Sequence, residues 1–251
     1  MISATQWNDY ERDGFLRLGH VCSTAELTAL QRRIDEIMLG TAPVDYDRML
    51  MQLDSDSGRY ADAPAQSKGF KGARLDYRKI QDLEFDPLFA EFMRLPVFRE
   101  ICGHVYGPGT SIAAFRAMFM NKPAGKGTWL PWHQDRWTNL DLDPLVTVWT
   151  ALDPATIANG CMQVIPGSHR LGIINREHHS AFLNPEQSER YCPPSAAVPL
   201  ELAVGETLLL HNWLVHASGV NRTDQPRRAF SVCYMDARTK AANGEVFSVI
   251  M

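Results

Sequence analysis

The stretch Trp132-His133-Gln134-Asp135-Arg136-Trp137 places a histidine and a carboxylate two positions apart among aromatic residues. In extended backbone, side chains at positions i and i+2 point to the same face of a strand. His133 and Asp135 can therefore direct a ring nitrogen and a carboxylate oxygen at one point. A second histidine from elsewhere in the chain would complete a 2-His-1-carboxylate triad, which holds Fe(II) and leaves positions open for oxygen chemistry.

Two of the eight histidines are candidates to complete this triad. His211 and His216 are five residues apart, so in continuous extended backbone they would face opposite sides and only one could join His133 and Asp135. The spacing leaves the choice between them open. The other histidines lie in segments predicted as helix, turn or polar loop and are interpreted as structural: His20, His104, His169, His178 and His179.

A pair of arginines begins an apolar segment after a turn-rich link. An arginine such as Arg227 or Arg228 that enters a buried strand is costly unless an anion meets it. A guanidinium group suits a carboxylate because it can donate two charge-assisted hydrogen bonds. The dipeptide therefore indicates an anion site, with a surface pair that closes a hairpin as the alternative.

The first hundred residues carry helical signals. Ser23 and Glu26 form a capping-box pattern, apolar residues follow at helical spacing, and Gly40 stands where a helix would end. Asp86-Pro87 is a second helix start, and a short helix is predicted from Pro96 to Tyr106. The polar segment 45–78 is predicted to be a lid or binding loop, with disorder as the alternative.

From Ser111 onward the pattern changes to short apolar segments between Pro/Gly turns, which is typical of a sandwich or barrel. The predicted strands are 111–122, 145–152, 161–165, 198–202, 206–210 and 229–234, and 175–194 is predicted to be a polar loop. We therefore expect one domain over residues 1–251, with helical support and a lid in 1–110 and a β core in 111–240.

Composition limits the class of protein. The formal net charge is −4, which favours neither nucleic acid nor an anionic membrane as a partner. The five cysteines include no Cys-x-x-Cys pair, so reduced thiols in a cytoplasmic protein are expected. No signal peptide and no apolar run of membrane-spanning length is recognised. The expected partner is a small-molecule substrate, and oligomeric state receives no prediction.

Four ordered segments resemble the phytanoyl-CoA dioxygenase family. They are Trp132-His133-Gln134-Asp135, then Val146–Leu152, then Asn159–His169, then His216–Asn221 continuing to Pro226-Arg227-Arg228. This family consists of Fe(II)- and 2-oxoglutarate-dependent oxygenases with a double-stranded β-helix, or jelly-roll, core. The resemblance therefore implies a mainly β fold flanked by helices, and Fe(II), 2-oxoglutarate and O₂ as cofactor and co-substrates.

The resemblance also implies roles for individual residues. His133, Asp135 and His216 would bind iron, and Arg227, eleven residues after His216, would bind the distal carboxylate of 2-oxoglutarate. Three further residues would lie near the co-substrate: Ser218, Gln134 and Trp149. His211 then becomes a core or supporting residue.

The expected reaction is hydroxylation of a C–H bond in a small polar metabolite, coupled to conversion of 2-oxoglutarate to succinate and CO₂. Two alternatives are a jelly-roll binding module without catalytic activity and a zinc hydrolase that uses the same ligands. Arg136 and the group Arg74, Arg78 and Lys79 could pair with an anionic substrate, although a solvated face is the simpler interpretation of each one alone.

Overall fold

A computed structural model describes residues 1–178 and 181–251, and these residues form two antiparallel sheets and five α-helices. The helices are α1 (Ala4–Asp13), α2 (Thr24–Leu39), α3 (Pro87–Met93), α4 (Pro96–Tyr106) and α5 (Pro185–Tyr191). The strands are β1 (Phe15–His20), β2 (Leu50–Leu53), β3 (Ser67–Lys68), β4 (Tyr77–Gln81), β5 (Ile112–Lys122), β6 (Leu130–His133), β7 (Val146–Ala151), β8 (Met162–Val164), β9 (Val198–Leu200), β10 (Glu206–His211), β11 (His216–Ser218), β12 (Arg227–Asp236) and β13 (Ser248–Val249).

The larger sheet has the strand order β1-β10-β7-β12-β5-β4-β2-β3, and β13 pairs with β5 outside this path. The smaller sheet has the order β6-β11-β8-β9. Neighbours along the chain are seldom neighbours in these sheets, so the connections cross between strands rather than forming simple hairpins. Such crossing antiparallel connections are those of a jelly roll.

Side chains on the central strands of the larger sheet alternate between the helices and an internal cavity, as the two-residue period of a strand requires. On β12, Phe230 and Tyr234 face the helices, where the Phe230 ring lies 4.7 Å from that of Phe89. Ser231 on the same strand and Met118 on β5 line the cavity instead. The central strands therefore carry the core on one face and a binding space on the other.

The predicted helix signals are confirmed. The Ser23 hydroxyl accepts from the backbone N–H of Glu26, whose side chain accepts in return, and Gly40 ends α2 with φ +76°. Asp86 caps α3, with its carboxylate accepting from the N–H of Leu88. None of the described helices has both the length and the hydrophobicity of a transmembrane span.

The mostly helical description of residues 1–110 needs correction, because this region also supplies four strands to the larger sheet. β1 pairs with β10, and β4 pairs with β5. The polar segment 45–78 contains β2, β3 and the start of β4, with Met51 and Tyr77 fully buried. Part of its polar character comes from residues that line the internal cavity, among them Gln52 and Arg78. The larger sheet therefore joins strands from both parts of the chain, and one domain over residues 1–251 stays a prediction.

The strands predicted from Ser111 onward are found in the structure, but β6 and β11, which carry the two paired histidines, were not among them. Within the predicted loop 175–194 the chain forms α5, which begins with an Asn184 capping box. His178 lies edge-on against Phe182, and the prediction for His179 lies outside the described residues.

Candidate active site

The predicted triad is brought together on the smaller sheet. His133 at the end of β6 pairs directly across the ladder with His216 at the start of β11, and their ring centroids are 4.1 Å apart. Asp135 follows β6, and its carboxylate oxygens lie 4.0 Å from Nε2 of each histidine. One ligand atom from each of the three residues lies within 4.8 Å of the other two. Ligand atoms that share one cation have this spacing.

Backbone hydrogen bonds orient both imidazole rings for metal binding. Nδ1 of His133 lies 2.8 Å from the carbonyl oxygen of Pro131, and Nδ1 of His216 lies 2.9 Å from that of Leu214. A carbonyl only accepts, so each Nδ1 carries the proton and each Nε2 presents its lone pair to Asp135. A hydrogen bond from the ring nitrogen that does not bind the metal to a backbone carbonyl is typical of metal-binding histidines. Burial lowers the pKa of His133 to about 3, so the ring is neutral, as a ligand must be.

Gln134, between the first two ligands, lines the cavity, and its side chain also braces the segment that carries them. Its side chain is fully buried, and its Nε2 donates to the carbonyl oxygens of Gly172 (2.8 Å) and Trp213 (2.7 Å). Its Oε1 accepts from the N–H of Ile174 at 2.8 Å. These bonds use the amide fully and hold the ligand-bearing segment against two loops.

A second anchor holds Asp135 beside the turn between β10 and β11. The Asp135 N–H donates to the carbonyl oxygen of Asn212 at 2.7 Å. The Asn212 side chain in turn donates to the carbonyl of Pro144 and accepts from the Thr147 hydroxyl. This turn separates the two candidate histidines into different sheets, because His211 ends β10 and His216 begins β11.

His211 is excluded from the triad by this turn. Its Nδ1 accepts from the backbone N–H of Trp213 at 3.0 Å, and its ring lies 5.0 Å from that of His169. Burial lowers the pKa of His211 to about 4. His211 therefore supports the turn that delivers His216, which agrees with the supporting role expected for it.

A cavity of about 340 Å³ opens at the triad between the two sheets. This volume is in the range of small-molecule sites. Apolar side chains form much of its wall, including Met118, Met120, Leu130, Met162, Phe182 and Leu210. Polar side chains are concentrated at the triad and on the larger sheet.

Arg227, the first residue of β12, enters this cavity as a buried cation without a carboxylate partner. It is 5% exposed, and its only hydrogen bond to the described residues goes from a terminal nitrogen to the carbonyl of Gly160 at 3.2 Å. Its Nε has no partner among these residues, and its guanidinium lies 5.4 Å from the ring centre of Trp149. Burial lowers the pKa of Arg227 to about 10.

The neighbouring Arg228 has the opposite environment. Its guanidinium donates to both carboxylate oxygens of Asp153, at 2.7 and 2.8 Å, and to Asp35 on α2. Adjacent residues on a strand face opposite sides, so Arg228 points towards the helices and Arg227 into the cavity. The structure thus separates the two members of the dipeptide into a paired and an unpaired cation.

The other predicted residues also lie at the cavity. Ser218, on β11 two residues after His216, is 8% exposed and lines the wall, as does Trp149, which is 3% exposed. Arg78, Lys79 and Arg136 line the cavity as well, whereas Arg74 is exposed and pairs with Asp76.

Sequence reasoning missed Arg116, which lies on β5 and lines the cavity. The signal was available, because Arg116 stands inside the predicted apolar strand 111–122, just as Arg227 stands at the entry to another apolar segment. Gly160 was also missed as a functional position. Its φ is +80°, and a Cβ there would lie 2.5 Å from the carbonyl oxygen of Gly219. Only glycine therefore fits the turn whose carbonyl binds Arg227.

Residues 10–229 match the family model described as phytanoyl-CoA dioxygenase (PhyH). A probable phytanoyl-CoA dioxygenase of Caenorhabditis elegans is 27% identical over 93% of this chain and 75% of the relative. Among solved structures, EctD from S. alaskensis with bound Fe has a TM-score of 0.71 and 21% identity, covering 96% of this chain and 79% of that one. The epimerase SnoN in complex with Fe³⁺, alpha ketoglutarate and nogalamycin RO has a TM-score of 0.67 and 21% identity, covering 94% and 84%.

The chain belongs to the phytanoyl-CoA dioxygenase family, since the family model spans most of its length. The structural likeness confirms the predicted jelly-roll fold. Family membership and the His-Asp-His triad confirm the predicted class, an oxygenase that uses iron, 2-oxoglutarate and O₂.

Proposed function

We propose that the protein hydroxylates a C–H bond of a small-molecule metabolite and couples this reaction to conversion of 2-oxoglutarate to succinate and CO₂. His133, Asp135 and His216 would hold Fe(II), and their two neutral imidazoles and one carboxylate are the donor set typical of this metal. The bound iron would supply O₂ activation. The chain itself supplies orientation, charge and a cavity beside the triad.

The observation that carries the proposal is the unpaired Arg227 inside the same cavity as the triad. A buried guanidinium without a carboxylate is costly, and a dianionic oxo-acid would provide the missing carboxylate. Ser218 and Trp149 would form the walls beside it. The co-substrate would then extend from Arg227 towards the triad, with its keto-acid end at the metal.

The two alternatives fit the site less well. A zinc hydrolase would need a general base beside the ligands, and Asp135, itself a ligand, is the sole carboxylate among the described residues that line the cavity. A binding module without catalysis would have no use for two imidazoles held with both Nε2 atoms facing one carboxylate. The zinc hydrolase also leaves Arg227 unexplained.

A cytoplasmic location is part of the proposal. All five cysteines are free thiols and four of them are buried, which is typical of proteins in reducing compartments.

The test is substrate-stimulated succinate formation that requires both Fe(II) and 2-oxoglutarate, with Asp135→Ala as the diagnostic variant. We expect this variant to lose turnover and tight Fe(II) binding while it keeps the far-UV circular dichroism of the parent. Asp224→Ala, at an exposed loop position, is the matched control and should retain both properties. Full turnover by Asp135→Ala, or zinc-dependent turnover without 2-oxoglutarate, would contradict the proposal.

A further inference from the structure

The carboxylate of Asp135 is held less directly than the other two members of the triad. Each imidazole ring is oriented by a backbone carbonyl, whereas no described residue donates a hydrogen bond to the Asp135 carboxylate. Its side chain is also the most exposed of the three, at 35% against 9% for His133 and 15% for His216. The position of this carboxylate therefore depends on how the Asp135 backbone is held.

The turn between β10 and β11 holds this backbone. Asp135 lies beyond the end of β6, so the ladder of the smaller sheet does not include it. Its N–H donates instead to the carbonyl oxygen of Asn212 in the turn, at 2.7 Å. The preceding N–H, that of Gln134, makes a longer bond of 3.3 Å to the carbonyl of Ala181. The contact with Asn212 is therefore the shorter of the two backbone bonds that fix this ligand.

Asn212 is itself held by bonds to both ends of its side-chain amide. Its Oδ1 accepts from the Thr147 hydroxyl at 2.7 Å, and its Nδ2 donates to the carbonyl of Pro144 at 2.8 Å and to Sγ of Cys233 at 3.3 Å. Its backbone N–H donates to the carbonyl of Leu145 at 2.9 Å. Asn212 is 2% exposed. A buried amide that is bonded in this way is fixed in one orientation.

Two of the groups that hold Asn212 belong to the wall of the cavity. Thr147 and Cys233 are opposite each other in the β7–β12 ladder, so their side chains lie on the same face of the larger sheet. Both residues line the cavity. Burial raises the pKa of Cys233 to about 12, so this pair carries no charge. The Asn212 side chain thus connects this part of the wall to a triad member that follows the other sheet.

We propose that Thr147 and Asn212 are positioning residues, which fix where the Asp135 carboxylate meets the metal. The inference rests on the proposed binding of iron by the triad. Thr147 fixes the orientation of the Asn212 amide, and Asn212 fixes the Asp135 backbone through its carbonyl. Without the Thr147 hydroxyl, the buried Oδ1 of Asn212 loses its donor, and an unpaired buried acceptor is costly. The turn would then relax, and the carboxylate would move relative to two imidazoles that keep their own hydrogen bonds.

The test compares two buried threonines on the same strand, β7. Thr147→Val removes the hydroxyl that donates to Asn212 and keeps the shape of the side chain. Thr150→Val makes the same change where the hydroxyl bonds that of Thr207, at 3.0 Å, and Thr150 is not among the described residues that line the cavity. We expect similar small decreases in the urea midpoint of the two variants, because each loses one buried hydrogen bond.

Metal binding separates a positioning role from a purely structural one. Fe(II) affinity is measured by calorimetry without O₂, and the visible absorption of bound Co(II) reports the arrangement of its ligands. Removing an outer partner of a metal ligand typically weakens metal binding roughly 10- to 100-fold, and we expect about tenfold for Thr147→Val because its effect passes through Asn212. The Co(II) spectrum should change with it. Thr150→Val should bind both metals as the parent does, and Thr147→Ser, which keeps the hydroxyl, should recover most of the affinity.

The outcomes distinguish this inference from the proposed function. Absence of Fe(II) binding by the unmodified protein would refute the proposed function itself. If the unmodified protein binds Fe(II), three results would each overturn the inference alone: unchanged affinity in Thr147→Val, equal weakening in Thr150→Val, or no recovery in Thr147→Ser. Thr147→Ala also lacks the hydroxyl and gives the same comparison if the valine variant does not fold.

Discussion

Replacing each member of the Arg227-Arg228 dipeptide by glutamine should give opposite results. Arg227 is buried without a carboxylate partner, whereas Arg228 is held by Asp153 and Asp35. Arg227→Gln therefore removes a charge that the free protein has not compensated. Arg228→Gln instead removes a cation from two carboxylates and leaves Asp153, whose side chain is 15% exposed, without its partner.

The expected magnitudes follow from these environments. Truncating one partner of a buried charge pair costs about 2–5 kcal/mol, which corresponds to roughly 30- to 4,000-fold weaker binding of 2-oxoglutarate by Arg227→Gln. Its free energy of unfolding without ligand should not fall. Arg228→Gln should lose about 1–3 kcal/mol of stability from the unsatisfied Asp153, with 2-oxoglutarate affinity within a few-fold of the parent.

Two assays read these effects separately. Urea unfolding of the metal-free protein gives the stability of each variant, and the anaerobic charge-transfer band with Fe(II) gives the dissociation constant of 2-oxoglutarate. Equal weakening of 2-oxoglutarate binding in the two variants would refute the assignment of Arg227. A larger stability loss in Arg227→Gln than in Arg228→Gln would refute the claim that the free protein leaves Arg227 uncompensated.

Three further variants test individual contacts. Gly160→Ala forces a side chain into φ +80° against the carbonyl of Gly219, so calorimetry should show weaker 2-oxoglutarate binding and urea unfolding a loss of about 1–2 kcal/mol. Gln134→Leu leaves three half-buried backbone groups without their side-chain partner, and urea unfolding should show a loss of about 1–3 kcal/mol. Burial raises the pKa of Glu84 from 4.5 to about 7, so the folded state holds a proton that the unfolded state has lost and stability should fall between pH 4.5 and 7. Glu84→Gln should remove this fall and make the protein more stable than the parent above pH 7, and identical urea midpoints at pH 8 would contradict this.

Patterns formed by residues a few positions apart could be interpreted from the sequence alone. The two-residue spacing of His133 and Asp135, the Ser23 capping box and the Asp86-Pro87 start each depend on local backbone geometry, and each is present in the structure. Such features need no knowledge of the rest of the fold. They were therefore predictable from one chain.

Features that depend on pairing between strands distant in the sequence could not be predicted in the same way. β2 and β4 lie in a polar segment, and only the pairing of β4 with β5 brings this segment into the larger sheet. The argument that compared His211 with His216 assumed continuous extended backbone, but the chain turns between them and changes sheet. The number of residues between two positions does not predict which face each side chain occupies when the chain turns between them.

Arg116 shows that the rule used for Arg227 was applied too narrowly. Both arginines enter strands whose neighbours are buried, and both reach the cavity without a carboxylate partner. The difference is that Arg227 follows a histidine at a family-like spacing, whereas no such landmark surrounds Arg116. A search for every arginine or lysine inside a predicted apolar strand would have added Arg116, which lies in the predicted strand 111–122.

The division of the site between two sheets has a consequence for how this protein can vary. His133 and His216 belong to the smaller sheet and Asp135 follows it, whereas Arg227, Lys79 and Arg116 all belong to the larger sheet. The hydrogen bonds that orient the two histidines come from Pro131 and Leu214, so a substitution at Arg227 on β12 leaves these hydrogen bonds in place. We therefore expect Arg227→Gln to weaken 2-oxoglutarate binding while iron binding is retained, and a loss of iron binding in this variant would contradict the separation.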